Sequence, residues 1–260
     1  LFPAQGPVKT QIIGKVTEKK QTQSQRVQDF MNFQVTSQIP DYFNELDQLL
    51  FYLSLAGSAF KKVYFDNTLD RICAKFVPAE DFVISNNNTD LIASERYTQV
   101  MKLSVNEIKK YMVSGLYREV PISKERGYNA TSEDTVQKTL QRLEGISPSM
   151  ADQIHTVLEV HIDYDLDEDK DGLGLPYIVT IDYDTRQVLA VRRNWTEGDT
   201  LRKKRTYFVH YKYLPGLGFY GFGLIHMIGG LQHASTGALR ALLDSAAFSN
   251  LQVPLVQRSL

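Results

Sequence analysis

Apolar and polar positions divide the chain into runs of helical and strand periodicity. From Thr17 to Gln38 the chain is polar, with apolar residues at Val27, Phe30, Met31 and Val35, the spacing of one face of a surface helix. After Pro40, Leu46, Leu49, Leu50 and Leu53 share one side of a second, more deeply buried helix, with Asp41 as its cap and Gly57 as its end. Lys61 to Val77 alternates on both sides of an Asp-Asn-Thr sequence and predicts a hairpin. A strand follows over 95–103, then a short helix that opens with Ser104 and Glu107 in capping-box spacing.

From Pro121 to about Met150 the chain is polar, with one amphipathic piece, TVQKTLQRLEGI, and reads as a peripheral insertion over 121–154. Beyond it, HTVLEVHIDYD, PYIVTIDYDTRQVLAVRRNW and RTYFVHYKYL predict a three-run antiparallel meander over 155–213, folding at Asp182, Tyr183, Asp184 and Thr185. In the first run Glu159, His161, Asp163 and Asp165 face one way and Leu158, Val160, Ile162 and Tyr164 the other, so the polar set is expected on a solvated outer face. Residues 214–260 pass from a glycine-rich loop into helix, where Leu239, Leu242, Leu243, Ala246 and Ala247 form one apolar face. The order of elements predicts an α+β fold: a helical part over 1–56, a mixed β/α, wing-like part over 57–120, the insertion, the meander, and loop plus core helices.

At 260 residues with 43% apolar side chains, the chain can bury a sizeable core. Its 29 basic and 30 acidic side chains nearly cancel, so a charge-based function has to be local. The lone Cys73 excludes an internal disulfide and every cysteine-rich zinc motif, and fits a reducing compartment. In that setting the Asn-x-Ser/Thr matches at Asn87, Asn129 and Asn194 are chance. No signal peptide or membrane span is evident, and the ends, LFPAQGPVKT and QVPLVQRSL, suggest a piece of something longer.

Two motifs invite a chemical reading. Asp167, Asp169, Asp171 and Gly172 match the first, third, fifth and sixth positions of a calcium loop, yet the twelfth is Ile178, where the coordination shell needs a carboxylate. The residues that follow read as a strand, so a polar turn is the simpler account and a calcium-binding module the alternative. GLGFYG, 216–221, matches the dinucleotide fingerprint between a strand and a helix. The preceding strand belongs to an antiparallel meander, and Asp244 sits within helical periodicity, which leaves a dinucleotide-binding enzyme the weaker alternative.

The five histidines form no metal-hydrolase spacing, and no serine occupies G-x-S-x-G. His226 and His233 read as packing or interface residues. Arg192, Arg193, Arg202, Lys203, Lys204 and Arg205 surround Trp195 and are candidates for phosphate contact, with a solvated hairpin tip as the plainer reading. No catalytic residues and no cofactor are expected.

The blocks LFYLSLAGSAFKKVYFD, KFVPAEDFVISNN, PYIVTIDYDTRQVLAVRRNW and above all FVHYKYLPGLGFYGFGLIHMIGGLQHASTGALRALLDSAAFSNL resemble the portal proteins of tailed double-stranded DNA bacteriophages and prophages, over most of residues 25–252. That resemblance implies a virion structural protein, without enzymatic activity, in a dodecameric ring at the capsid vertex. Terminase packages DNA through such a ring, and tail or adaptor proteins attach to it. Leu224–Asn250 would belong to the helical core, reached through a loop containing Pro215, Gly216, Gly218, Gly221 and Gly223. Gly229, Gly230, Ala234, Ser235 and Gly237 would permit close helix approach, while Leu239, Leu242 and Leu243 would bury. Portal proteins are usually longer than this chain at both ends.

Overall fold

A computed structural model describes residues 6–66, 69–85, 87–121, 154–166 and 172–250. The fold is α+β: helices α1 (Glu18–Phe33), α2 (Tyr42–Ala56), α3 (Val105–Val113) and α4 (Leu224–Asn250), with two antiparallel sheets. One sheet has the order β2-β1-β8, from Arg71–Pro78, Ser58–Asp66 and Phe208–Lys212. The other has the order β3-β4-β5-β6-β7, from Phe82–Ile84, Arg96–Ser104, Ile154–Tyr164, Leu175–Asp182 and Val188–Arg193. The expected insertion, apart from its two end residues, lies outside the described residues, as do Asp167, Asp169 and Asp171.

Several local signals act where the sequence places them. The Ser104 hydroxyl accepts the Glu107 amide while the Glu107 carboxylate accepts the Ser104 amide, a complete capping box on α3. Gly57 ends α2 with a φ of +89°, a left-handed conformation that glycine adopts without a Cβ clash. Asp41 precedes α2 but does not cap it, because its carboxylate reaches Arg71 at 3.2 Å instead. Past Phe33 the first helix widens into a π-helical turn over Gln34–Gln38. Leu49 is the one fully buried residue of α2, so that helix lies shallower than its leucine spacing suggests.

Two features of the expected meander are corrected. Its third run does not continue the sheet: β8 leaves the meander and pairs with β1, Phe60 opposite His210. The polar side of β5 faces inward, with His155, Val157, Glu159 and His161 buried and Leu158, Val160 and Ile162 only half-buried. Alternation defines two faces without saying which one a sheet buries. Here the other sheet supplies Lys62 to the polar face, so burying it leaves its carboxylate paired.

The main core lies where the two sheets meet. Phe60 stacks on Phe82 at 4.1 Å and on His210 at 4.5 Å, and Tyr97, Phe208 and Phe219 complete the cluster. A second core forms under α3 from Ile108, Tyr117, Val157 and Leu189. Asn194 is fully buried, with its backbone amide donating to the Pro176 carbonyl, so its glycosylation match is inaccessible.

Candidate functional site

The glycine-rich segment docks α4 onto the rest of the chain. Phe219 inserts into the core beside His210, and the Tyr220 hydroxyl donates to the Phe82 carbonyl at 2.8 Å. The Gly221 amide donates to the Ser58 hydroxyl at 2.7 Å, Phe222 pairs with Leu214, and the Gly223 amide donates to His226 Nδ1 at 3.1 Å. His226 thus caps its own helix. A Cβ on Gly221 would lie 2.6 Å from the backbone oxygens of both Gly57 and Leu214, and one on Gly223 would collide with the backbone at Leu55 and Gly57.

These glycines serve contact between the end of α2 and the start of α4. The amides that a dinucleotide fingerprint would offer to a pyrophosphate are bonded within the chain at Gly221, Phe222 and Gly223. Gly218 has open space around it, and Leu217 stands fully exposed at the loop tip. Gly221→Ala is expected to destabilise the chain by about 2–3 kcal/mol in urea unfolding, as overpacking against rigid backbone does. Gly218→Ala is expected to leave stability unchanged, and equal effects at the two positions would discount the docking role.

From this dock, α4 runs for 27 residues without one buried residue. Leu224, Ile228, Leu231, Leu239 and Leu242 are exposed and, with Ser235 and Ala246, follow a single stripe at helical spacing. Leu239, Leu242 and Leu243, expected to bury, are therefore exposed in the single chain. A different side of the helix carries a shallow notch lined by Gly229, Gln232, His233, Thr236, Gly237 and Arg240. A Cβ on Gly229, Gly230 or Gly237 would meet nothing, so no contact in the described chain requires those glycines. Each lowers helix stability by about 1 kcal/mol relative to alanine. No helix among the described residues is long and apolar enough to cross a membrane.

The basic cluster is only partly available. Arg192, Arg193, Arg202, Lys203 and Arg205 are exposed, and Arg193 and Arg202 each place their guanidinium 5.9 Å from the Trp195 ring. Lys204 turns inward, donating to the Ser94 carbonyl at 2.8 Å and lying 4.9 Å from the Tyr97 ring centre. Its ammonium is engaged within the chain, which leaves the other five cations the more accessible. Gly172 takes a φ of +69°, as a polar turn requires, and β6 begins at Leu175 where a calcium loop would lead into a helix.

One buried charge network carried no sequence signal. Lys62 Nζ donates to Glu159 at 2.7 Å and to Gln99 at 2.9 Å, and His161 Nε2 lies 2.9 Å from the same Glu159 oxygen. A carboxylate only accepts, so His161 donates through Nε2, and its ring stacks on Tyr97 at 4.7 Å. Burial by itself would raise the Glu159 pKa, but Lys62 and His161 outweigh it and hold the carboxyl well below its ordinary range. Burial keeps His161 below its usual pKa despite Glu159, and burial with Lys212 nearby lowers His210 to about 4. A neighbouring cation, Lys61, lies buried 3.8 Å from the Tyr42 ring centre.

The sign of the pH dependence follows. All three groups bind protons more weakly folded than unfolded, so their contributions are complete at neutral pH and are lost on acidification. Thermal stability is expected to fall first below the ordinary histidine pKa of about 6.5, and again below the carboxylate range near 4.3. Melting temperatures between pH 7.5 and 3.5 check this, and His210→Phe, which keeps a stacked ring, should flatten the first phase.

Comparison of the chain with protein-family models and with curated proteins finds no match to either.

Proposed function

We propose that this chain is a subunit, or part of one, of the portal ring of a tailed bacteriophage or prophage. In this reading copies assemble around an axis at the capsid vertex. Double-stranded DNA passes through the opening, terminase engages one side and tail or adaptor proteins the other. The subunit is a structural component of the virion, made and assembled in the host bacterial cytoplasm, and acts without chemistry of its own.

The observation that carries the reading is α4, which has no buried residue along its 27 positions while bearing an apolar stripe and glycines that no contact in the described chain requires. Exposed apolar surface of this length marks an interaction face. The two differing sides of α4 suit a heterologous contact, in which one surface of a copy meets another surface of the next and the ring closes by rotation. The resemblance of residues 208–251 to portal proteins supplies the identity of that assembly. The near balance of 29 basic and 30 acidic side chains suits a conduit that must not grip DNA.

The test is the native mass of the purified protein across a concentration series, with negative-stain images of the same sample. Closed rings, dodecameric if the family's stoichiometry holds, are the expected result. A monodisperse monomer at every concentration, or tight, steeply salt-dependent binding of duplex DNA by the single subunit, would overturn the reading.

A further inference from the structure

At the end of the five-stranded sheet away from the arginine-rich loop, the start of β5 lies beside the turn that joins β6 to β7. His155, near the start of β5, points its Nδ1 at Asp182 Oδ1, 3.9 Å away, and at Asp184 Oδ2, 4.0 Å away. The three donor atoms all lie within 4.8 Å of one another. The His155 and Asp182 side chains are each only 7% exposed, whereas Asp184 is 27% exposed and opens the cluster to solvent.

Two of these atoms lack a hydrogen-bond partner. His155 Nδ1 and Asp182 Oδ1 are buried, face each other, and neither makes a hydrogen bond. Their separation exceeds hydrogen-bond length. Buried polar atoms left unpaired cost about 1–3 kcal/mol each, and more for a charged group. The other Asp182 oxygen accepts the Thr185 hydroxyl at 2.6 Å, which orients the carboxylate and leaves Oδ1 directed at the imidazole. Orientation of a ligating carboxylate by an outer hydrogen bond is a recurring property of metal sites.

We infer that His155, Asp182 and Asp184 form a binding site for a divalent transition-metal cation, with zinc as the best-suited ion. One imidazole nitrogen and two carboxylate oxygens are an ordinary zinc donor set, which leaves a fourth position for water or a ligand. Zinc bonds of roughly 2.0–2.1 Å in tetrahedral geometry bring donors to about 3.3 Å from one another. The cluster would therefore have to contract by about 0.6–0.7 Å in the two histidine–carboxylate separations and by at most about 1.5 Å in any pair. The ion would cross-link the first residues of β5 to the β6–β7 turn. The acidic stretch at 165–172 shares no residue with it, and the site does not depend on the ring reading.

The experiment takes the full chain, strips it with chelator, and titrates zinc chloride by calorimetry, with melting temperatures measured in parallel. One zinc ion per chain and a raised melting temperature are expected, as linkage requires of a ligand that binds the folded state. Asp184→Asn, at an exposed turn position, is expected to weaken zinc at least tenfold without changing the melting temperature of the stripped protein. His155→Gln should abolish the zinc-induced shift. The proposal is overturned if the wild type takes up no stoichiometric zinc, which would leave a simple histidine–carboxylate ion pair. It is equally overturned if both variants bind as the wild type does, or if calcium binds in preference and survives His155→Gln.

Discussion

Replacing Lys62 with methionine is expected to cost about 3–5 kcal/mol of folding stability, the scale on which removing one partner of a buried ion pair acts. The Lys62 side chain is 12% exposed and that of Glu159 9%, and the two come from different sheets. Methionine fills much of the lysine stem's volume but leaves Glu159 with His161 alone as a side-chain partner among the described residues, in a place from which water is largely excluded. The loss is the stranded carboxylate and not the contact itself. Adding Glu159→Leu to Lys62→Met should therefore recover most of it, since apolar replacement of a whole buried pair is often neutral. Urea unfolding of the two variants decides this. A loss below about 1 kcal/mol for Lys62→Met would mean the pair behaves as a surface salt bridge.

The second large effect is on assembly. Leu239→Glu combined with Leu242→Glu is expected to leave the fold of the single chain intact, because both leucines are exposed there. It should weaken association at least about a thousandfold if these side chains bury between copies. Each fully buried leucine contributes about 1.5–3 kcal/mol, and each glutamate adds the penalty of an unpaired charge. If the wild type assembles as proposed, native mass and negative-stain images are expected to show single subunits of the variant at concentrations that give wild-type rings, while the melting temperature of the isolated subunit barely moves. Unaltered rings would remove the apolar stripe from the interface.

Much of the local structure is readable from neighbouring residues. The capping box at Ser104 and Glu107, the end of α2 at Gly57, the β1–β2 hairpin and the turn at Asp182 to Thr185 each arise from residues a few positions apart. The same holds for the helical period of α4. Asp41 shows the limit: its type and position suit a cap, but Arg71, 30 positions away, takes its carboxylate. Lys204, one cation of a surface-looking run, turns inward to the Ser94 carbonyl, 110 positions earlier in the chain.

The candidate sites were less legible still. Lys62 and Glu159 are 97 residues apart, and nothing in either neighbourhood marks a buried pair. His155, Asp182 and Asp184 lack the short spacing of known metal motifs, because the cross-strand pairing of β5 with β6 brings them together. The glycines at 216, 218 and 221 formed a recognisable pattern, whereas the use of Gly221 against the end of α2 depends on a contact between distant segments.

Sequence alone thus established the α+β class, most element positions, the capping box on α3, the glycine end of α2, and an apolar stripe on the last helix. Those properties depend on backbone geometry and periodicity over a few residues, which neighbouring side chains control. The tertiary structure decided that β8 leaves the meander for β1, that β5 buries its polar face, and that the stripe on α4 stays uncovered in the single chain. Alternation along a strand is symmetric between its two faces, and only the groups that distant segments bring to each face determine which one can be buried.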